Sequence, residues 1–259
     1  MQYALVSGGS KGIGFAIATA LAKRKYNLVL VARNKEDLAN AKIKLENEYH
    51  VQVAILALDL SHEASADSVA TWCNEKDLPL KILCNATGLG GSEDYLSIGL
   101  DASRYQLRLN TEPAISLVFN LLPLLSKNRP AHILNVSSMA GFAPIPLKNI
   151  YSASKSAIIF FSYSLRYQLK KDGVSVSCLC PGPVFTKPEI EATTIKKMGW
   201  LGKQMAVLPQ LVGEIAVRKT LQGKMIIVPG KLASIMSAVL RVLPMRLTAY
   251  IYHRFGSKK

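Results

Sequence analysis

Acidic residues are scarce in this chain. Only 17 Asp and Glu stand against 32 Lys and Arg, for a formal net charge of +15 at pH 7. The shortage is sharpest near the end: from Lys196 to Lys259 only Glu214 offsets 12 cations, so the local excess is 12 − 1 = +11. Such a surface favours anions, whether phosphorylated cofactors, acidic lipid headgroups, acyl-carrier partners or nucleic acid. Charge alone does not choose among them. Cysteine is also sparse. Cys73, Cys84, Cys178 and Cys180 lie in apolar or helical stretches without a CxxC pair, which excludes the common zinc and thiol-redox motifs and leaves core packing in a reducing compartment. His50, His62, His132 and His253 lack metal-ligand spacing, so no metal is expected. No cationic and apolar leader precedes "QYALVSGG", so the expectation is a cytoplasmic protein without a cleaved secretory signal. No apolar run approaches the roughly twenty residues needed to cross a bilayer. The apolar C-terminal stretch is interrupted by Arg241, Pro244 and Arg246. Interleaved aromatic and basic residues are missing too, so no nucleic-acid partner is expected.

What the sequence does contain is alternation. Residues 2–7, 28–33, 52–58, 81–86, 132–137, 174–180 and 225–228 read as short strands, several apolar for most of their length, as strands buried on both faces are. Helical periodicity fills 12–25, 35–49, 63–76, 101–127, 151–171 and 210–222. Strands and helices in this order predict an α/β fold: a doubly wound parallel sheet of seven strands, with helices on both faces and ligands beyond the C-terminal strand ends. No repeat or low-complexity linker breaks the chain, so residues 1–259 are expected to form one Rossmann-type domain.

Strand one runs directly into "SGGSKGIG", residues 7–14, and then into a helix. Gly8, Gly12 and Gly14 let the backbone turn and approach a pyrophosphate, with Ser10, Lys11 and Ile13 between them, while the helix N-terminus offers free N–H groups. Strand two ends with Ala32 where an acidic residue would accept a ribose 2′-hydroxyl, and Arg33 follows with Lys11 nearby. That combination favours NADP(H) over NAD. Further on, "NIYSASKSA" sets Tyr151 four residues before Lys155, side by side on a helix. This spacing fits an ordinary helix surface as well as a proton-transfer device.

Taken together, these motifs resemble the short-chain dehydrogenase/reductase family. The glycine turn, Asp59-Leu60 after strand three, "CNAT" at 84–87, Asn110, "NVSS" at 135–138, YxxxK at 151–155 and "PGPVFT" at 181–186 occur in the family's order, and Ser138 precedes Tyr151 by the family's thirteen residues. The resemblance implies a catalytic set of Asn110, Ser138, Tyr151 and Lys155. In it Tyr151 is the acid/base, Ser138 polarises the carbonyl, Lys155 holds the nicotinamide ribose and lowers the phenol pKa, and Asn110 organises a relay water. It also implies cofactor contacts from Gly8, Ser10, Lys11, Gly12, Ile13, Gly14, Arg33, Asp59, Leu60, Asn85, Ala86, Thr87, Tyr151, Lys155, Pro181, Gly182, Val184 and Thr186. Two departures stand out: Ser7 replaces threonine, and Cys84 and Thr87 replace the first Asn and the Gly of the family's NNAG. Thr87 brings a side chain close to the cofactor, with Gly88 available to absorb strain.

The family's variable substrate lid corresponds to residues 187–209, where Met198, Trp200, Leu201, Met205 and Val207 mix with lysines. An apolar lid suits a hydrophobic ketone or acyl substrate. The basic C-terminal extension, 230–259, reads either as an amphipathic segment lying on an anionic membrane or as a helix closing over the core with its basic face in water. Ile158, Ile159, Phe160 and Phe161 are consecutive and wrap around their helix, so more than one face should be buried. The corresponding family helix commonly forms dimer interfaces, which implies a homodimer or homotetramer. The expected function is NADP(H)-dependent interconversion of a carbonyl and an alcohol. The alternative is a dinucleotide-binding sensor or scaffold without turnover.

Overall fold

A computed structural model describes residues 2–90, 95–185, 204 and 206–256. Its centre is a seven-stranded sheet of β1 (Tyr3–Ser7), β2 (Asn27–Ala32), β3 (Val53–Ala57), β4 (Leu80–Asn85), β5 (Ala131–Val136), β6 (Val174–Leu179) and β7 (Ile226–Ile227). The order across the sheet is β3-β2-β1-β4-β5-β6-β7 and every pair is parallel. The chain reverses its direction of travel between β1 and β4, where Ser7 pairs with Val31 on one side and Asn85 on the other. A crevice opens at the C-terminal ends of strands wherever a doubly wound sheet reverses in this way.

The apolar strands are explained by two buried faces. Ala4, Val6, Leu28 and Leu30 pack with Ile17 and Leu21 of α1 (Gly12–Ala22), Leu38 and Leu45 of α2 (Lys35–Tyr49) and Val212 and Val217 of α6 (Pro209–Leu221). Their neighbours Leu5, Val29 and Val31 point the other way. They meet Val69 and Cys73 of α3 (Glu63–Glu75), Leu117 and Leu121 of α4 (Tyr95–Lys127) and Leu165 of α5 (Asn149–Gln168). Alternate residues of a strand thus serve opposite layers, so no polar face remains. Helix α4 is broken at Gly99, whose φ of 79° no helix accommodates.

Two further helices close the chain, α7 (Lys231–Val242) and α8 (Met245–Gly256). Ala233 and Leu240 of α7 join Met139, Ile158, Ile159, Cys178, Cys180 and Val228 in a third cluster at the β6 edge. Ile158 and Ile159 face this cluster while Phe161 packs into the α3/α4 layer, so α5 is buried on more than one side, as its four apolar residues predict. Phe160 is the exception, 66% exposed. All four cysteines are free and buried, and burial pushes the Cys73 thiol up to about 12. They are core residues, and among the described residues no group of side chains could hold a metal ion.

Candidate active site

The glycine turn is dictated by contacts that no side chain tolerates. Gly8 has φ 68°, and a Cβ on it would lie 2.9 Å from the Ala86 carbonyl oxygen of the neighbouring strand end. A Cβ on Gly14 would overlap the Gly8 carbonyl oxygen. Ser7 takes over the hydroxyl role expected of threonine, accepting from the Ala86 and Thr87 amides at 3.2 and 3.3 Å. Lys11 sits at the N-terminal boundary of α1 and its side chain makes no capping hydrogen bond, and no acidic residue occupies the first turn. The helix therefore presents free N–H groups and positive dipole to the crevice.

That crevice is a cleft of about 930 Å³. Gly8, Ser10, Lys11, Gly12, Ile13, Gly14, Arg33, Asp59, Leu60, Ala86, Thr87, Tyr151, Lys155, Pro181, Gly182 and Val184 line it, as does Ser138. Asn85 does not. It is buried beneath the cleft, where its amide donates to Asn135 Oδ1 at 2.9 Å and the Ala114 carbonyl at 3.3 Å, so it ties β4 to β5 and α4 rather than touching a ligand. Thr186 and residues 187–203 and 205 of the expected lid lie outside the described residues. Val207, within the described part of that segment, is bridged to Val184.

At the open end of the cleft, Arg33 is 57% exposed on its side chain, donates to the Tyr105 hydroxyl at 3.0 Å and stands 3.9 Å from Asp59. Lys11 pairs with Asp37 at 2.8 Å. Exposed pairs of this kind hold little energy and exchange readily for a better anion. Asn34 and Asp37 also line the cleft, and sequence reading passed over both. Their signal was available, because Asn34 caps α2 by accepting from the Asp37 amide directly after Arg33.

At the inner end, Lys155 is 5% exposed, and its Nζ donates to the Val136 carbonyl at 3.2 Å and sits 6.0 Å from the Tyr151 ring centre. Ser137, another residue missed in the sequence, fixes this helix turn by donating to the Lys155 carbonyl at 2.7 Å. Asn110 stands behind the cleft. Its Nδ2 donates to the Leu89 carbonyl and to Ser154 Oγ, its Oδ1 accepts from the Leu89 amide, and Ser154 in turn donates to the Tyr151 carbonyl at 2.7 Å. Asn110 therefore positions the helix that carries Tyr151. Gly88 is needed for space: a Cβ there would stand 2.9 Å from Asn110 Oδ1 and 3.2 Å from Lys155 Nζ. Its φ lies outside the left-handed region, so close approach, not strain relief beside Thr87, explains it.

The protonation states differ from expectation. Burial raises the Tyr151 phenol above its ordinary value, and a hydrogen bond with Ser138 only partly opposes this. Burial also lowers Lys155, to about 8, since an ammonium without a buried counter-charge is poorly solvated. Protein groups alone therefore hold Tyr151 as a protonated acid rather than moving it toward neutrality. The buried ammonium carries a stability consequence. The unfolded chain holds the Lys155 proton up to about pH 10.5 and the folded chain only to about 8, so in that window the unfolded state binds more protons and stability rises with pH. Relative to Lys155→Met, wild type is expected to gain roughly 2–4 kcal/mol between pH 7.5 and 10.5. Denaturant melts of both proteins across this range check it, and parallel curves would refute the buried charge.

The residues present fit a dinucleotide. Thr87 Oγ1 is buried at the cleft wall without a partner among the described residues, and Gly8 and Gly14 let the turn pack so closely that its backbone lines the cleft. A parallel sheet of this order, an uncapped helix behind a glycine turn, and a tyrosine with lysine opposite a serine define a nicotinamide-dinucleotide oxidoreductase fold. The short chain dehydrogenase family profile matches residues 2–196, and the chain belongs to that family. It is 32% identical over 201 residues to the very-long-chain 3-oxoacyl-CoA reductase of Mus musculus, an alignment covering 76% of this chain and 64% of that protein. The chain thus spans just under two thirds of that relative. Among solved structures it resembles the Sphingobium yanoikuyae short-chain dehydrogenase in complex with NADPH, with TM-score 0.78 at 23% identity over 94% of this chain and 97% of that one. It also resembles a 7beta-hydroxysteroid dehydrogenase, with TM-score 0.85 at 18% identity over 99% and 97%.

Proposed function

We propose that this chain is an NADP(H)-dependent oxidoreductase that interconverts a carbonyl and an alcohol on a hydrophobic ketone or acyl substrate. The observation that carries the reading is the meeting of Ser138, Tyr151 and Lys155 in one cleft with the glycine turn. The bound dinucleotide supplies or takes up the hydride. Ser138 donates to the substrate oxygen and Tyr151 delivers the proton that the oxygen gains on reduction, a role suited to a phenol kept protonated by burial. Lys155 Nζ, close to Tyr151 and to the position facing Gly88, orients the nicotinamide ribose and steadies the negative charge left on the phenol. Gly8, Gly12 and Gly14 with the α1 N-terminus hold the pyrophosphate. Support for the acyl alternative comes from the Mus musculus relative, named as a very-long-chain 3-oxoacyl-CoA reductase.

The preference for the 2′-phosphate rests on Arg33 and Lys11, whose cationic ends reach the cleft where β2 supplies Ala32 instead of a carboxylate. Replacing Arg33 by alanine is expected to weaken NADPH about 10- to 100-fold, the worth of a charge-assisted hydrogen bond, while NADH changes little. Fluorescence titration of both cofactors checks this, and equal losses for the two would refute it.

The same proposal includes a homodimer or homotetramer. Phe160, Tyr163 and Tyr167 form an exposed row on α5, and Phe119 is exposed on α4, which packs beside it. Such an aromatic face is what subunit interfaces bury. The reading as a whole is tested by NADPH and NADH oxidation over a panel of aliphatic, aromatic and steroid ketones and 3-oxoacyl thioesters. Binding of NADPH without reduction of any carbonyl would favour a sensor without turnover.

A further inference from the structure

The C-terminal helices are apolar on two sides. Ala233, Ser237 and Leu240 of α7 are buried against the core, which satisfies the simple expectation of a helix closing over it. That expectation also requires a basic outer face, and the outer face is not basic. Ile235, Ala238, Val239 and Val242, spaced as one helical stripe, all point outward, with Ile235 62% and Val242 81% exposed. Met245, Leu247, Tyr250 and Ile251 of α8 continue the exposed apolar surface past the Leu243-Pro244 corner. Cations border it: Lys231 and Arg241 on α7, Arg246 and Arg254 on α8, all exposed. From residue 215 to 259 the sequence holds nine Lys and Arg and no Asp or Glu.

We infer that the outer face of α7 and α8 docks on an anionic phospholipid bilayer, with the apolar stripe in the acyl boundary and the cations among the headgroups. Water does not favour a continuous apolar stripe of this size. A second copy covering it would press two cationic, carboxylate-free surfaces together, whereas an acidic lipid surface complements both the stripe and its border. No described helix is long and apolar enough to cross a membrane, so the contact is peripheral. Helix α7 packs on the short turn Met139–Phe142 that follows Ser138, where Arg241 stacks on the Phe142 ring at 5.6 Å. The docked face is thus one layer from the candidate active site. On the reductase reading above, this suits a carbonyl substrate dissolved in lipid.

The test is sedimentation of the full chain with phosphatidylcholine vesicles, with and without phosphatidylserine, at low and high salt and without cofactor or substrate. Its outcome is therefore independent of whether the chain reduces carbonyls. Binding is expected only with phosphatidylserine and is weakened by salt. The double variant Ile235→Glu/Val242→Glu, at exposed positions, is expected to lower partition at least about tenfold with unchanged thermal stability. Lys231→Gln with Arg246→Gln is expected to lower it roughly fivefold or more. Absence of phosphatidylserine-dependent binding, or binding that survives the double variant, overturns the inference. So does a dimer that the double variant dissolves while vesicle binding is absent, since a second copy would then be the occupant.

Discussion

Replacing Tyr151 by phenylalanine is expected to cut carbonyl reduction by about 10²- to 10⁴-fold, the usual contribution of a positioned general acid. The loss should fall on kcat with little change in the cofactor dissociation constant. The reasoning is local. The ring stays because its neighbours hold it, and only the hydroxyl that meets Ser138 is removed. Helix α5 keeps its anchors, since Ser154 donates to the Tyr151 backbone carbonyl and Asn110 to Ser154, neither through the phenol. Stability should therefore match wild type within about 1 kcal/mol, which separates lost chemistry from lost folding. Steady-state kinetics beside a denaturant melt decide it, and a variant that retains full turnover would remove Tyr151 from the chemistry.

Alanine at Gly213 is expected to be among the most damaging single changes to the fold, costing about 3 kcal/mol or more. Gly213 lies on α6 where that helix crosses α1, and a Cβ there would overlap the Ala16 carbonyl oxygen, with the Ile17 amide also within 2.9 Å. Backbone cannot rotate away as a flexible side chain can. The helices must separate instead, opening the core that Ile17, Val212 and Val217 fill. Because α1 also presents its N-terminus to the cleft, the displacement is expected to weaken dinucleotide binding as well. A fall in Tm of roughly 6–12 °C is the anticipated reading, and an unchanged Tm would mean that the two helices are not packed this closely.

The sheet was readable from sequence because its strands are apolar on both faces. In the run Leu28 to Val31, Leu28 and Leu30 pack into one layer and Val29 and Val31 into the other. The weakest reading was at the last strand, where 225–228 shrinks to Ile226–Ile227, since an edge strand needs few ladder bonds. Helix α5 begins at Asn149, two residues ahead of the expectation, and α4 extends back to Tyr95 across the break at Gly99. In the candidate site, the family's motif order implied Ser138, Tyr151 and Lys155, which do line one cleft, whereas the spacing of Tyr151 and Lys155 alone left a helix surface and a proton device equally open. The motif order did not encode depth. That Asn85 lies beneath the cleft, that Asn110 is occupied by Leu89 and Ser154, and that Lys155 loses solvation enough to lower its pKa are consequences of burial, which depends on residues far away in the chain. The outward apolar stripe of α7 was hidden for a related reason: composition revealed apolar residues and cations there, but not which of them the core would claim.

The most direct measurement follows the hydride. NADPH carrying deuterium on the reactive face of its nicotinamide C4 is turned over with a hydrophobic ketone, and the alcohol is analysed by mass spectrometry in wild type and Tyr151→Phe. Wild type is expected to place one deuterium on the carbinol carbon of every alcohol formed, and the variant to do so at a rate lower by about 10² or more. Alcohol without deuterium, or equal rates in the two proteins, would contradict hydride transfer assisted by Tyr151.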